Sequence, residues 1–312
     1  MRNTAAIRLE GGLGDHLLGM RLLGPLRAKY PQHRIVAYSD AGGAKPQLQV
    51  VRMSPMVSEV CPVSQDPLRV TMSSLGLLGN LDARDLARIR EADVFVDAYT
   101  QSLFLEQARM LDVSPFEVLA STPVLHISDD AKTLGARLLD RVDGQKFVGL
   151  NFAKYGLDIL RGCLDTLRRF VDDLMTLPNT HLLHFYTRRH RFPHWPEPDR
   201  SRREQQAHME TAVLEEITGW YSDRCTAIID EEISIVAALL ARCNYFIGVD
   251  NGIKHLAWAL GVPRTWIVPY RGLAQQWILR YAPDYHRMLQ LGCSVGELER
   301  HIAAARSAVQ SD

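Results

Sequence analysis

From Ile7 to Pro25 the chain reads I-R-L-E-G-G-L-G-D-H-L-L-G-M-R-L-L-G-P. Ala5, Ala6, Ile7 and Leu9 suit a buried strand, and Leu17, Leu18, Met20, Leu22 and Leu26 recur at helical spacing. Between them, Gly11, Gly12 and Gly14 predict a tight turn. A strand entering a helix through such a turn is the start of a parallel βαβ unit, so this stretch restricts the chain to α/β architectures. Glycines there permit positive φ and close approach of a ligand, while the N–H groups at a helix start tolerate an anion. Asp15 falls at the predicted cap, where it is either an N-cap carboxylate or a base aimed into a cleft.

Two phosphate motifs can be tested on this turn. The P-loop fails, because no G-K-[ST] follows the glycines. The dinucleotide fingerprint half fits: Gly12 and Gly14 give G-x-G, Leu17 occupies the third glycine position, and Ser39-Asp40 ends the next strand where a ribose-binding acid belongs.

At 312 residues and 46% hydrophobic content, the chain can bury two cores. Its 36 basic and 36 acidic residues balance, which argues against a general nucleic-acid binder. No run approaches the length of a membrane span, and Met1-Arg2-Asn3-Thr4 leads straight into a strand without room for a signal peptide. The expectation is a cytoplasmic protein, with peripheral membrane contact left open. The five cysteines are scattered without C-x-x-C, and the eleven histidines form no H-E-x-x-H motif. Reduced structural thiols and no metal site are expected. The absence of D-x-D weakens any scheme in which paired carboxylates hold a cation on a diphosphate.

Along the chain, strands and helices alternate. The first helix is expected to run to Lys29-Tyr30-Pro31, followed by a strand over 34–38, a helix over 45–53, a short strand over 57–63, a helix over 82–91, a strand over 94–98 and a helix over 102–111. From Ser114 to Asp130 the pattern lapses, with Pro115, Pro123 and Ser128-Asp129-Asp130. This gives an expected N-terminal Rossmann-like domain over 1–128, a linker with its connecting helix over 129–145, and a second Rossmann-like domain over 146–312. In the second half, strands are expected over 146–152, 181–186, 226–229 and 245–249, and helices over 157–177, 204–220 and 234–242. The segment 188–203, with many arginines and three prolines, reads as a charged loop.

The last of these strands enters a second informative turn. Asp250-Asn251-Gly252 precedes Ile253-Lys254-His255-Leu256-Ala257-Trp258-Ala259-Leu260 and then Gly261-Val262-Pro263, a helix marked at both ends. Taken alone, Asp250 and Asn251 are simple caps and His255 a satisfied first-turn histidine. Two glycine-bearing strand-to-helix turns in one chain point instead to a paired site.

Together these residues resemble a known family, the inverting glycosyltransferases that include the bacterial lipopolysaccharide heptosyltransferases. The family's first strand ends in G-x-G-D, matched by Gly12-Leu13-Gly14-Asp15, and its second domain carries D-[ST]-G-x-x-H-L-A-x-A-L-G-x-P, matched almost throughout by Asp250 to Pro263. The resemblance implies the GT-B fold, two Rossmann-like domains whose parallel sheets face a central cleft. It implies a nucleoside-diphosphate sugar, ADP-heptose or a relative, as substrate on the C-terminal domain and an acceptor hydroxyl on the N-terminal one. The acceptor is a glycan, a protein or a small molecule, and no cofactor is implied. By the resemblance, Asp15 is the general base, and Asp250, Gly252 and His255 hold the donor. Asn251 replaces the usual Ser or Thr, with a side-chain amide that can donate to a phosphate in place of the hydroxyl. Lys154 stands in the family's basic segment as a diphosphate ligand, without the tryptophan that usually accompanies it.

Displacing a nucleoside diphosphate requires partial deprotonation of the acceptor and stabilisation of the departing charge. A carboxylate does the first; helix amides at Gly252 and cations such as Lys154, Lys254 or Arg161 suit the second. Two other readings remain at this stage: a nicotinamide-dependent oxidoreductase, favoured by Gly12, Gly14 and Asp40, and a non-catalytic nucleotide-sugar-binding protein.

Overall fold

The computed structural model describes residues 3–39, 46–63, 83–98, 104–140, 142, 146–153, 168, 171–172, 175–176, 178–188, 197–249, 251–262 and 264–267. The chain divides into two compact units between Ser128 and Asp129.

In the first unit, β1 (Thr4–Leu9), β2 (Arg34–Ser39), β3 (Glu59–Pro62) and β4 (Val94–Asp97) form an all-parallel sheet in the order β3-β2-β1-β4. The central strand β1 is buried from Ala5 to Leu9, with Ile7 opposite Ala37 on one side and Val96 on the other. A strand covered on both faces reads as a near-continuous apolar run, which is why it was visible in the sequence. On one face Ala6, Val36, Tyr38, Cys61 and Val63 pack with Ile89 of α4 (Ala83–Arg90).

The helix expected to run from the glycine turn to Lys29 is two helices, α1 (Leu13–Met20) and α2 (Leu23–Lys29). Pro25 is the cause. It has no N–H for the carbonyl of Arg21 and its ring crowds that carbonyl, so the helix restarts with Pro25 in a first turn, where no amide hydrogen is needed. The remaining helices among the described residues of this unit are α3 (Pro46–Arg52), α5 (Phe104–Leu111) and α6 (Pro115–Ala120). The last lies where the sequence pattern lapses. Its signals are compact: Ser114 accepts from the Phe116 amide, Pro115 occupies the first helical position, and Glu117 lies in the first turn.

The second unit opens with α7 (Asp129–Leu138) and is built on β5 (Lys146–Asn151), β6 (Thr180–Tyr186), β7 (Cys225–Ile229), β8 (Tyr245–Gly248) and β9 (Arg264–Ile267), all parallel in the order β7-β6-β5-β8-β9. The strand β9 was not expected; it is short and, among the described residues, pairs with β8 alone. The core on one face joins Val148, Leu150 and Phe152 with Leu214 and Ile217 of α8 (Asp199–Gly219). The helix expected over 157–177 falls mostly outside the described residues.

The helix α8 starts five residues before its expected position, so Arg200, Arg202 and Arg203 are helical rather than part of a charged loop. Its first two turns bury nothing; burial begins at Ala207 and continues at Thr211, Val213, Leu214 and Ile217. Apolar periodicity therefore marks only the later part of the helix. Two helices, α9 (Ile233–Leu240) and α10 (Gly252–Ala259), follow β7 and β8. No helix among the described residues is long and apolar enough to cross a membrane.

Strand order reverses between β1 and β4 in one sheet and between β5 and β8 in the other. In open α/β sheets the crevice beyond the carboxyl ends of the strands at such a reversal is where ligands bind. Both glycine turns leave strands that flank a reversal.

Candidate functional site

The first turn is built around Gly11, whose φ of +96° lies in the left-handed region that favours glycine. A Cβ at Gly11 would come 2.6 Å from Asp15 Oδ2 and 2.9 Å from Asp15 Cγ, so a side chain at Gly11 would displace the carboxylate as well as strain the backbone. The N-cap of α1 is Gly12, and Asp15 is the third helical residue rather than the cap. Its Oδ2 reaches back to accept the Gly12 N–H at 2.7 Å. The carboxylate thus serves an amide of the helix start and is half-buried. Gly12 and Gly14 are likewise half-buried on this turn.

Two features beneath the turn were not singled out in the sequence. His16 is fully buried, with Nδ1 3.0 Å from the Gly12 carbonyl and Nε2 2.8 Å from Ser39 Oγ at the end of β2. Arg8 pairs with Glu10 and, at 3.4 Å, with Asp97 at the end of β4, all three being at most 8% exposed. A buried guanidinium between two carboxylates is a costly arrangement unless fully bonded, and removing one partner would leave charge uncompensated. Charged residues ending otherwise apolar strands were the signal available for it. Asp40, the acid considered for a dinucleotide ribose, lies outside the described residues.

The second turn is held differently. Asn251 caps α10, its Oδ1 accepting from the amides of Ile253 at 3.0 Å and Lys254 at 3.3 Å. Its Nδ2 donates to Asn151 Oδ1 and, at 3.1 Å, to the Ala153 carbonyl. Asn151 in turn donates to the Phe185 carbonyl at 2.7 Å. The carboxyl ends of β5, β6 and β8 are therefore laced together at the reversal of strand order. Both hydrogens of the Asn251 side-chain amide are thus engaged within the unit. Gly248 makes this lacing feasible: a Cβ there would lie 2.6 Å from the Asn151 carbonyl oxygen.

Gly252 and His255 are half-buried in the first turn of α10, and the side chain of Lys254 is buried between them in sequence. Asn251, Gly252 and His255 are thus brought to one helix start in the second unit, while Gly12, Gly14 and Asp15 share a turn of the first. Lys154, Asp250 and Arg161 lie outside the described residues.

Among the described residues, no group of three His, Cys, Asp or Glu side chains is placed to hold a metal ion. Burial raises the thiols of Cys225 and Cys243 to about 12, which makes them inert at neutral pH. Burial lowers His184 to about 3, so its imidazole is neutral.

Residues 203–266 match glycosyltransferase family 9 (heptosyltransferase), a segment that begins within α8 and contains Asn251, Gly252 and His255. No curated protein matches the chain in sequence. Among solved structures, the fold is similar to the glycosyl transferase family 9 protein from Veillonella parvula DSM 2008, at 14% identity and a TM-score of 0.65, covering 100% of this chain and 98% of that one. It is also similar to the ADP-heptose lps heptosyltransferase II of E. coli, at 14% identity and a TM-score of 0.54, covering 86% of this chain and 85% of that one. The parallel topology of both sheets, the matched segment around the second turn and the shared fold agree: the chain resembles the heptosyltransferase-like family 9 and has the GT-B fold of two Rossmann-like domains.

Proposed function

We propose that the protein is an inverting glycosyltransferase that moves a heptose-like sugar from a nucleoside-diphosphate donor, ADP-linked as in the similar E. coli enzyme, to an acceptor hydroxyl. The observation that carries this reading is the second turn. A family-9 segment there ends a buried strand in an asparagine-capped helix whose start holds Gly252 and His255. The positive end of the α10 dipole favours a diphosphate, and His255 one turn in can donate to a phosphate oxygen. On this reading Asp250 accepts ribose hydroxyls and Lys154 contacts the diphosphate.

Asp15 is the general base. Its carboxylate, aimed by the Gly12 amide, takes the proton of the acceptor hydroxyl as that oxygen attacks the anomeric carbon. The C–O bond to the diphosphate breaks in the same step, so configuration inverts and no second carboxylate acts as nucleophile. Charge on the leaving diphosphate is met by the dipole at the start of α10 and by cations, a metal-independent scheme consistent with the lack of D-x-D in the sequence. The first unit takes the acceptor. Its class is a glycan, a protein or a small molecule, and the setting is cytoplasmic glycan assembly.

Hydrogen exchange with and without ADP tests the donor site. Protection over 251–255 with weakened binding in His255→Ala is expected. Protection confined to 11–15, accompanied by NAD binding, would overturn the transferase reading, because a dinucleotide enzyme holds its pyrophosphate on the first turn.

A further inference from the structure

Gly12 is held at both ends of its residue. Its N–H is donated to Asp15 Oδ2 at 2.7 Å, and its carbonyl accepts from the His16 ring nitrogen Nδ1 at 3.0 Å as well as from the His16 amide at 3.1 Å. A carbonyl oxygen can only accept, so Nδ1 carries the hydrogen, and in the neutral ring Nε2 accepts the Ser39 hydroxyl proton over 2.8 Å. Both His16 and Ser39 are 0% exposed. A chain of hydrogen bonds therefore runs from the end of β2 through Ser39, His16 and Gly12 to the Asp15 carboxylate. It crosses a turn of glycines, whose backbone is the most permissive available.

We propose that His16, braced by Ser39, is the positioning residue that aims the Asp15 carboxylate. This rests on the reading of Asp15 as the base. A carboxylate that must meet an acceptor hydroxyl in line with the anomeric carbon tolerates little displacement, and misplacement by an ångström can cost about 10²-fold in rate. The ring contributes through Gly12 and touches neither substrate.

The two ring nitrogens can be separated by substitution. The amide nitrogen of Asn sits near Nδ1 and the amide oxygen of Gln can take the place of Nε2, so His16→Asn retains the donation to Gly12 while His16→Gln retains an acceptor for the Ser39 hydroxyl. His16→Leu removes both, and Ser39→Ala cuts the brace alone.

The test uses the full chain labelled with 15N-glycine. The Gly12 amide, assigned by its loss in Gly12→Ala, should exchange slowly and shift as the Asp15 carboxylate titrates. In His16→Leu and Ser39→Ala its exchange should accelerate and its response to that titration weaken, while His16→Asn keeps more of both than His16→Leu. ADP release from ADP-heptose should show kcat lowered about tenfold or more in His16→Leu, with KM for ADP-heptose unchanged and His16→Asn partly restored. A Gly12 amide unaltered in folded His16→Leu or Ser39→Ala would overturn the proposal, as would full kcat despite a loosened amide. If His16→Leu does not fold, Ser39→Ala, which deletes one oxygen, carries the same test. Normal turnover in Asp15→Asn beside a loosened Gly12 amide in His16→Leu would sink Asp15 as base while leaving the clamp in place, so the two failures are distinguishable.

Discussion

Asn251 donates its side-chain amide to the side-chain oxygen of Asn151, 100 residues earlier in the chain. The two residues stand just beyond β8 and at the end of β5, where strand order reverses, and they are 8% and 3% exposed. One asparagine thereby does two jobs: its oxygen caps α10 and its nitrogen fastens that helix start to the neighbouring strand. The start of α10 is held in a fixed direction as a result, which is the preorganisation that the proposed diphosphate site requires.

This pairing predicts that Asn251→Ala is costly. It removes a cap worth about 1 kcal/mol and leaves the buried Asn151 oxygen unsatisfied, for a combined loss on the order of 2–3 kcal/mol in urea denaturation. Asn251→Asp keeps the cap oxygen but cannot donate to Asn151 or Ala153, so it should be destabilised as well. Wild-type stability in Asn251→Asp would show that the brace is unimportant.

Asp15→Asn preserves the shape of the side chain and an oxygen for the Gly12 amide while removing basicity. Turnover should fall by about 10²–10⁴-fold with ADP binding little changed. Near-normal turnover would remove Asp15 from the chemistry.

Exhaustive EDTA treatment should leave turnover intact if the α10 dipole and cations stabilise the departing diphosphate. Loss of activity restored by magnesium or manganese would contradict that account.

Buried His184 makes the second unit sensitive to acid. Thr218 donates its hydroxyl to the Leu214 carbonyl at 3.1 Å and so accepts from His184 Nδ1–H at 2.8 Å. The remaining nitrogen, Nε2, is a buried acceptor with no partner among the described residues. With the folded-state value lowered from 6.5 to about 3 by burial, the unfolded chain binds the extra proton first as pH falls. The contribution is therefore fully present above pH 6.5 and is lost between there and about 3, by up to about 1.4 kcal/mol per pH unit. His184→Phe, packing against Phe152 and Tyr186, should flatten the decline between pH 6.5 and 5 in urea titrations. An unchanged slope would assign acid sensitivity to other groups.

The strands, most of the helices and both glycine turns were legible in the sequence because their signals are local. A strand buried on two faces is an apolar run, a helix is a periodicity, and a turn is a glycine or an asparagine at its end. Local signals also carried the family motif, since Gly12-Leu13-Gly14-Asp15 and the stretch ending at Pro263 are each contiguous. The break between α1 and α2 was equally local, written in Pro25, and α6 was written in Ser114-Pro115.

By itself, the sequence determined the α/β class, the division into two parallel-sheet units and the position of the two turns. Only the tertiary structure decided what holds those turns. His16 and Ser39 are 23 residues apart, Arg8 and Asp97 are 89 apart, and Asn151 and Asn251 are 100 apart. Each pair meets because parallel strands bring their carboxyl ends together in one register, setting Arg8 opposite Asp97 and Asn151 opposite Gly248. Registers between strands separated by whole helices leave no periodic trace in the chain, so side chains that look like caps, core residues or solvated charges acquire their partners only when the sheet closes.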